Sequence, residues 1–337
     1  MKKSFTLLLL ISFAYYLNAQ QDPSITTYMF NTLAINPAYA GSQGYLTTNL
    51  LNRNQWLGWT NENSKAPSTQ ILSLHAPVNK RLGLGFHLSN DVIGASRTTS
   101  LNTTYAYRIT FPFGTIAAGL QAGFVNWRAD WSDVSLRDGF AADPAFNEVP
   151  ESRLLPNFGL GFYFQNDFAY AGFSLPRILP LSLTKAADRD NATLYDATLY
   201  RHFYFTAGGI LPIVSDDVVF KPSILFRKVG GFGKSAVTTD QAASPTSIDL
   251  DASVFLLQTL WIGWSYRWSL EGTFGRNSSH DSMDFWAAFY LQNGLRLGFA
   301  YDIGLTPIRN YSSGSLELMV GYDFNVNISN VQSPRYF

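Results

Sequence analysis

The stretch Leu295-Arg296-Leu297-Gly298-Phe299-Ala300-Tyr301-Asp302-Ile303 decides the fold. Large apolar side chains fill every odd position, while Arg, Gly, Ala and Asp fill the even ones, a period of two that no helix satisfies. One face of such a strand is greasy and the other small or polar. Working outward, Leu316, Leu318, Val320, Tyr322 and Phe324 alternate with Glu317, Met319, Gly321 and Asp323. Ile248, Leu250, Ala252, Val254 and Leu256 face away from Asp249, Asp251 and Ser253, and Ile262, Trp264, Tyr266, Trp268 and Leu270 oppose Gly263, Ser265, Arg267 and Ser269. Nearer the start, Leu101, Thr103, Tyr105, Tyr107 and Ile109 alternate with Asn102, Thr104, Ala106 and Arg108, and Leu82, Leu84, Phe86 and Leu88 with Gly83, Gly85 and His87.

Read this way, the chain holds about fourteen strands of the length that spans a bilayer. They cover 45–54, 68–76, 81–90, 98–111, 115–126, 155–165, 168–175, 198–210, 218–228, 247–257, 260–270, 282–291, 295–304 and 315–324. The links give a second signal. After even-numbered strands they are short (77–80, 112–114, 166–167, 211–217, 258–259, 292–294), and after odd-numbered ones long (55–67, 127–154, 176–197, 229–246, 271–281, 305–314), with 91–97 undecided. This is the alternation of periplasmic turns and external loops in an antiparallel up-and-down transmembrane β-barrel. Parity puts both barrel ends in the periplasm and the long loops outside the cell.

Composition agrees. The 337 residues are 46% apolar and 15% aromatic but only 14% charged, against an ordinary quarter, so part of the surface meets something other than water. The first 19 residues combine Lys2 and Lys3 with an apolar run and end Leu17-Asn18-Ala19, the form of a cleaved secretory leader. Residues 20–44 show no strand pattern and are expected on the periplasmic side, as a plug or as a reach toward a partner; the barrel follows over 45–324 and a tail over 325–337. Basic and acidic residues balance at 24 each, which argues against a nucleic-acid partner held by bulk charge. Absence of cysteine removes thiolate catalysis and cysteine zinc sites. The four histidines are scattered, so no metal, no cofactor and no enzyme activity is expected. A membrane-embedded hydrolase would need His87 or His202 as its base.

A barrel of fourteen strands has a backbone diameter of roughly 28 Å, which side chains alone do not fill. Its inward set includes His87, Arg108, Lys221, Arg227, Asp249, Asp251, Arg267, Arg296, Asp302, Glu317 and Asp323. Mixed signs at close quarters suggest a self-satisfying network, contacts to a plug, or a path for an ion or ligand. In the long link 127–154, Trp127, Trp131, Phe140 and Phe146 are candidate partner anchors or a packed cover for the barrel mouth.

Several segments resemble one family. They are Tyr28-Met29-Phe30-Asn31, then Ile35-Asn36-Pro37-Ala38-Tyr39-Ala40-Gly41-Ser42, Arg53-Asn54-Gln55-Trp56-Leu57-Gly58, Gly161 to Asp167, Ala171 to Pro176, Arg201-His202-Phe203, Lys221-Pro222-Ser223, Tyr301-Asp302 and Ser333 to Phe337. In this order they resemble the PorP/SprF outer-membrane proteins of the type IX secretion system of Bacteroidetes, departing at Leu316, where a His is expected. The resemblance implies an outer-membrane barrel that assists export of a secreted surface protein, or its attachment at the cell surface in processes such as gliding motility. It implies binding through the partner's C-terminal sorting domain and contact with other secretion components. Tyr28, Asn31, Asn36, Pro37, Tyr39, Gly41, Gln55, Trp56, Lys221 and Pro222 carry its motifs, either in folding roles or in partner contact. The competing class is a solute-conducting porin.

Overall fold

The computed structural model describes residues 23–59, 66–130, 151–183, 198–215, 217–230, 246–270 and 279–324. The expected leader, the aromatic residues Trp131, Phe140 and Phe146, and the C-terminal tail lie outside them. Fourteen antiparallel strands form a closed barrel: β1 (Thr47–Asn54), β2 (Ser68–Pro77), β3 (Leu82–Ile93), β4 (Ser96–Phe111), β5 (Gly114–Ala129), β6 (Glu151–Gln165), β7 (Ala169–Arg177), β8 (His202–Gly209), β9 (Val218–Val229), β10 (Ser247–Leu256), β11 (Leu260–Ser269), β12 (Ser279–Tyr290), β13 (Leu295–Gly304) and β14 (Ser315–Asp323). Each pairs with the next in sequence, and Thr47 opposite Asp323 closes β1 on β14. No barrel strand is left with an open edge, the condition for a sheet to cross hydrocarbon. Among the described residues no helix is long and apolar enough to cross a membrane.

Several boundaries differ from the sequence reading: β5 and β6 run into the expected link 127–154, so Trp127 lies in the wall opposite Arg153 rather than in a loop, and three further differences change the topology. The expected strand 198–210 is broken. Thr198–Leu199 leaves the wall to pair with Leu181–Ser182 in a separate two-stranded sheet, and the wall strand starts at His202. The break sits where the β7 register shifts between His202 and Tyr204, with Arg177 Nη1 donating to the Tyr200 carbonyl at 3.2 Å. The undecided link 91–97 shrinks to Gly94 and Ala95, because β3 and β4 both run on and Gly94 takes a φ of +56° that suits a tight hairpin. The link after β8 carries its own strand, Leu211–Val214, which pairs with the start of β9.

The outer wall is apolar in registered rows. Leu50 lies opposite Leu72, Leu72 opposite Leu88, Leu88 opposite Leu101, and Leu101 opposite Phe124. Two residues along each strand toward the long links, the next outward row is polar: Asn52, Gln70, Asn90, Thr99 and Asn126. Its members bond to each other, Thr99 Oγ1 donating to Asn90 at 3.2 Å, Asn90 Nδ2 to Gln70 at 2.7 Å and Gln70 Nε2 to Asn52 at 3.3 Å. The change from leucine to linked amides marks where the lipid belt ends on β1–β5, since an amide facing hydrocarbon without a partner costs several kcal/mol.

Leu120, near the middle of β5 and 64% exposed, stands in that belt. Leu120→Arg is expected to lower barrel stability by about 2–4 kcal/mol. Denaturant titration of the protein folded into liposomes checks this, and an unchanged midpoint would place that face out of lipid.

Candidate functional site

The bore holds the chain's own residues from Ser24 to Gly41. Three short 3-10 turns, Tyr28–Phe30, Thr32–Ala34 and Pro37–Tyr39, satisfy much of this segment's backbone internally. Asn36 accepts from the Ala38 amide at 3.0 Å, and Pro37 occupies the first helical position, where a missing N–H costs nothing. Asn36 Nδ2 reaches the wall, donating to the Phe162 carbonyl at 3.0 Å. The inner segment adds no strand to the barrel ladder.

Wall glycines make room for it. A Cβ on Gly119 would overlap the backbone of Pro37 and Ala38, one on Gly161 the Asn36 side chain, and one on Gly83 the Ala40 carbonyl. On the opposite wall Phe30 enters an aromatic cage, its ring 4.8 Å from Trp261, 5.3 Å from Trp286 and 6.5 Å from Tyr290, each roughly edge-on or tilted.

Polar anchors fix the segment along its length. Glu317 accepts from the Thr26 amide at 2.6 Å, the Thr27 amide at 3.0 Å and Thr27 Oγ1 at 2.7 Å. Arg53 bridges Glu317 and Asp302, each at 2.5 Å, and Asp302 also accepts from Thr26 Oγ1 at 2.9 Å. All three charged residues are at most 3% exposed. Tyr28 donates to Asp251 at 2.7 Å; burial and the carboxylate beside it hold the Tyr28 hydroxyl well above its ordinary pKa, so it stays a donor. Ser73 donates to the Asn31 side chain at 2.6 Å, Ser174 to the Ile35 carbonyl at 2.5 Å, and the Gly41 amide to His75 at 3.2 Å. Arg108 donates to the carbonyls of Ala40 and Gly41, and Arg227 to Ser24.

Most of the expected inward set lines the bore in several separate clusters around the inner segment. Asp249 holds Arg227 at 2.9 Å and Arg267 at 3.1 Å, and Arg296 pairs with Asp323 at 2.9 Å. His87 is buried on the bore side of β3. The inward reading missed Arg53, quoted only within a family segment, together with Asp284, Thr26 and Thr27. Tyr28, Asn31, Asn36, Tyr39 and Gly41 all lie in the inner segment, with the Tyr39 ring 5.4 Å from His75 and 5.3 Å from Tyr163. Gln55 is buried at the long-link end of β1, and Trp56, at a φ of +53°, stands beside it with its ring 5.7 Å from Trp59. Lys221 and Pro222 sit on β9. Trp127 packs with Val125, Leu155, Leu181, Leu183 and Leu199, beneath the small two-stranded sheet. Among the described residues no group of three or more His, Asp or Glu could hold a metal ion.

Arg53→Met would leave Glu317 and Asp302 buried without their counter-charge, a loss of about 3–5 kcal/mol. Hydrogen exchange is expected to show residues 24–30 losing protection while the wall amides keep theirs. Gly119→Val is expected to unseat Pro37–Tyr39 and admit protease cleavage between 28 and 45 in a barrel that still runs as a folded species; a resistant variant would contradict the close fit.

Among solved structures, the chain is similar to the outer membrane protein Omp33 of Acinetobacter baumannii, with 7% identity, a TM-score of 0.45, and coverage of 83% of this chain and 99% of that one. It is likewise similar to a Pseudomonas aeruginosa FadL homologue, with 11% identity, a TM-score of 0.47, and coverage of 91% and 96%. No curated protein matches it. The family model described as type IX secretion system membrane protein PorP/SprF matches residues 17–322. An outer-membrane barrel with these motifs, matched over nearly its whole length, belongs to the PorP/SprF family of type IX secretion system membrane proteins.

Proposed function

We propose that this barrel assists the export of a secreted protein, or retains it at the cell surface, by engaging that protein's C-terminal domain, and that it does so without catalysis. In this reading residues 23–44 are a plug, both barrel ends face the periplasm, and the long links face outward with access to other secretion components. The observation that carries it is the occupied bore. Inner-segment residues Tyr28, Leu33 and Ala38 are at most 2% exposed, so a partner meets the rims rather than an open channel. Thr47 and Asp323 pair at the rim that carries the short turns, in keeping with a common side for the two ends.

The opposite rim offers aromatic side chains. Trp56 and Trp59 group with Tyr311, whose ring is 6.2 Å from Trp59 and which is 72% exposed. Backbone bonds of 2.7 Å between Leu57 and both Ser313 and Gly314 tie their two links together. A Trp-rich aromatic group that is half-buried, with one member exposed, has the composition common at the centre of protein interfaces. We extend the proposed surface to Trp131, Phe140 and Phe146. A catalytic role for His202 has little support, since its Nδ1 lies 3.0 Å from the Tyr200 carbonyl and 3.3 Å from Arg177.

Deleting residues 131–150 is expected to release the surface partner into the medium while the barrel still inserts; retention of the partner would count against this loop. In planar bilayers the intact protein is expected to be electrically silent and a variant lacking residues 23–40 to show open-channel steps. Steps from the intact protein would instead favour the porin reading.

A further inference from the structure

Beyond the amide row the outer wall turns basic. Strands β4 and β5 both run past the paired Thr99 and Asn126, and two residues further on Arg97 lies directly opposite Arg128. Both arginines are exposed, and Ser152 of β6, also exposed, faces Arg128 from the other side. At about 3.3 Å per residue the pair sits roughly 7 Å beyond the amides, the depth at which hydrocarbon gives way to headgroups. Beneath it Phe124 and Leu154, 54% and 68% exposed, continue the apolar wall.

Residues paired directly across antiparallel strands hold their Cβ atoms about 5 Å apart, and like charges so placed repel. In the bore, Arg53, Arg227, Arg267 and Arg296 each meet a carboxylate. Among the described residues no ion pair relieves Arg97 or Arg128. The next acidic residue along β5, Asp130, lies past the end of the strand, on the side away from lipid. Arg128 is nevertheless held in place. Asn126 accepts from its Nε at 3.2 Å and its Nη2 at 3.3 Å, and the nitrogen of the same amide donates to the Arg153 carbonyl at 3.2 Å. A guanidinium propped from the lipid side offers its other donors to the headgroup layer. Two guanidiniums and a hydroxyl side by side suit a phosphate, whose oxygens accept several such bonds at once.

We propose that Arg97 and Arg128 bind the phosphate of a membrane lipid whose acyl chains lie on Phe124 and Leu154. The inference rests on the outward placement of the long links proposed above, which makes this lipid the phosphorylated glycolipid of the outer leaflet. It is tested by native mass spectrometry of the full-length protein released from detergent, titrated with diphosphoryl lipid A and with the same lipid stripped of phosphate. Bound lipid A is expected, at least tenfold weaker without its phosphates and at least tenfold weaker in the Arg97→Gln/Arg128→Gln double variant. Arg81→Gln, at the exposed short turn between β2 and β3, is expected to bind as the unmodified protein does. Equal binding of the two lipids by the unmodified protein would overturn the site even if no variant folds, and so would undiminished binding by the double variant. Displacement of lipid A by an equal concentration of inorganic phosphate would assign a soluble anion and overturn the lipid. The chain has no cysteine, so Ala95→Cys reports sidedness on its own. Labelling of intact cells by an impermeant maleimide supports the glycolipid, and exclusion of the label overturns it together with the outward reading. Loss of phosphate dependence in a barrel that does label overturns the lipid site alone.

Discussion

A backbone surrounded by hydrocarbon must pair every amide and carbonyl within the protein, and here that demand is met only by closure of β1 on β14. The rest follows from the circumference this sets. Fourteen strands enclose a bore wider than opposing side chains can span. A hole of that size is filled by water or by chain, and this sequence fills it with the residues from Ser24 to Gly41. The wall glycines, the aromatic cage around Phe30 and the carboxylate that collects three donors at Thr26 and Thr27 are all answers to the same vacancy.

Where the wall meets lipid outside and small or charged groups inside, the sequence is transparent. Strands β13 and β14 show this: Leu297, Phe299, Leu318 and Val320 are exposed, while Arg296, Asp302 and Glu317 are buried. Strand β1 is opaque for a physical reason. Leu51 points into the bore and is fully buried, whereas Asn52 points outward into the amide row, so the alternation is inverted at its centre. That inversion hid the inward placement of Arg53, which pairs with both Asp302 and Glu317. Glycines 83, 119 and 161 are legible as small inward residues, but not as seats for Ala40, Pro37 and Asn36, because the seated residues lie far off along the chain. Thr26 and Thr27 carry no local signal at all; their importance is a matter of what stands opposite them. The broken strand 198–210 escaped notice because its alternation continues through a departure that only the neighbouring register reveals.

Buried ion clusters of this sort contribute modest net stability, since desolvation offsets most of the attraction. Their value lies in position. Arg53 with Asp302 and Glu317 admits the Thr26–Thr27 backbone at one height in the bore, and Tyr28 on Asp251 sets its rotation. An all-apolar bore would accept the same segment in many registers; this one accepts it in one.

The manner in which the inner segment is attached has a mechanical meaning. It joins the wall only near residue 46, contributes no strand to the cylinder, and keeps its turns by bonds within itself. Lining and cylinder are thus separable parts. Drawing the lining out would sacrifice side-chain anchors but not a single rung of the hoop, so the container outlasts the removal of its contents. A segment tethered at one rim, rather than woven into the wall, leaves every strand pairing of the cylinder independent of it.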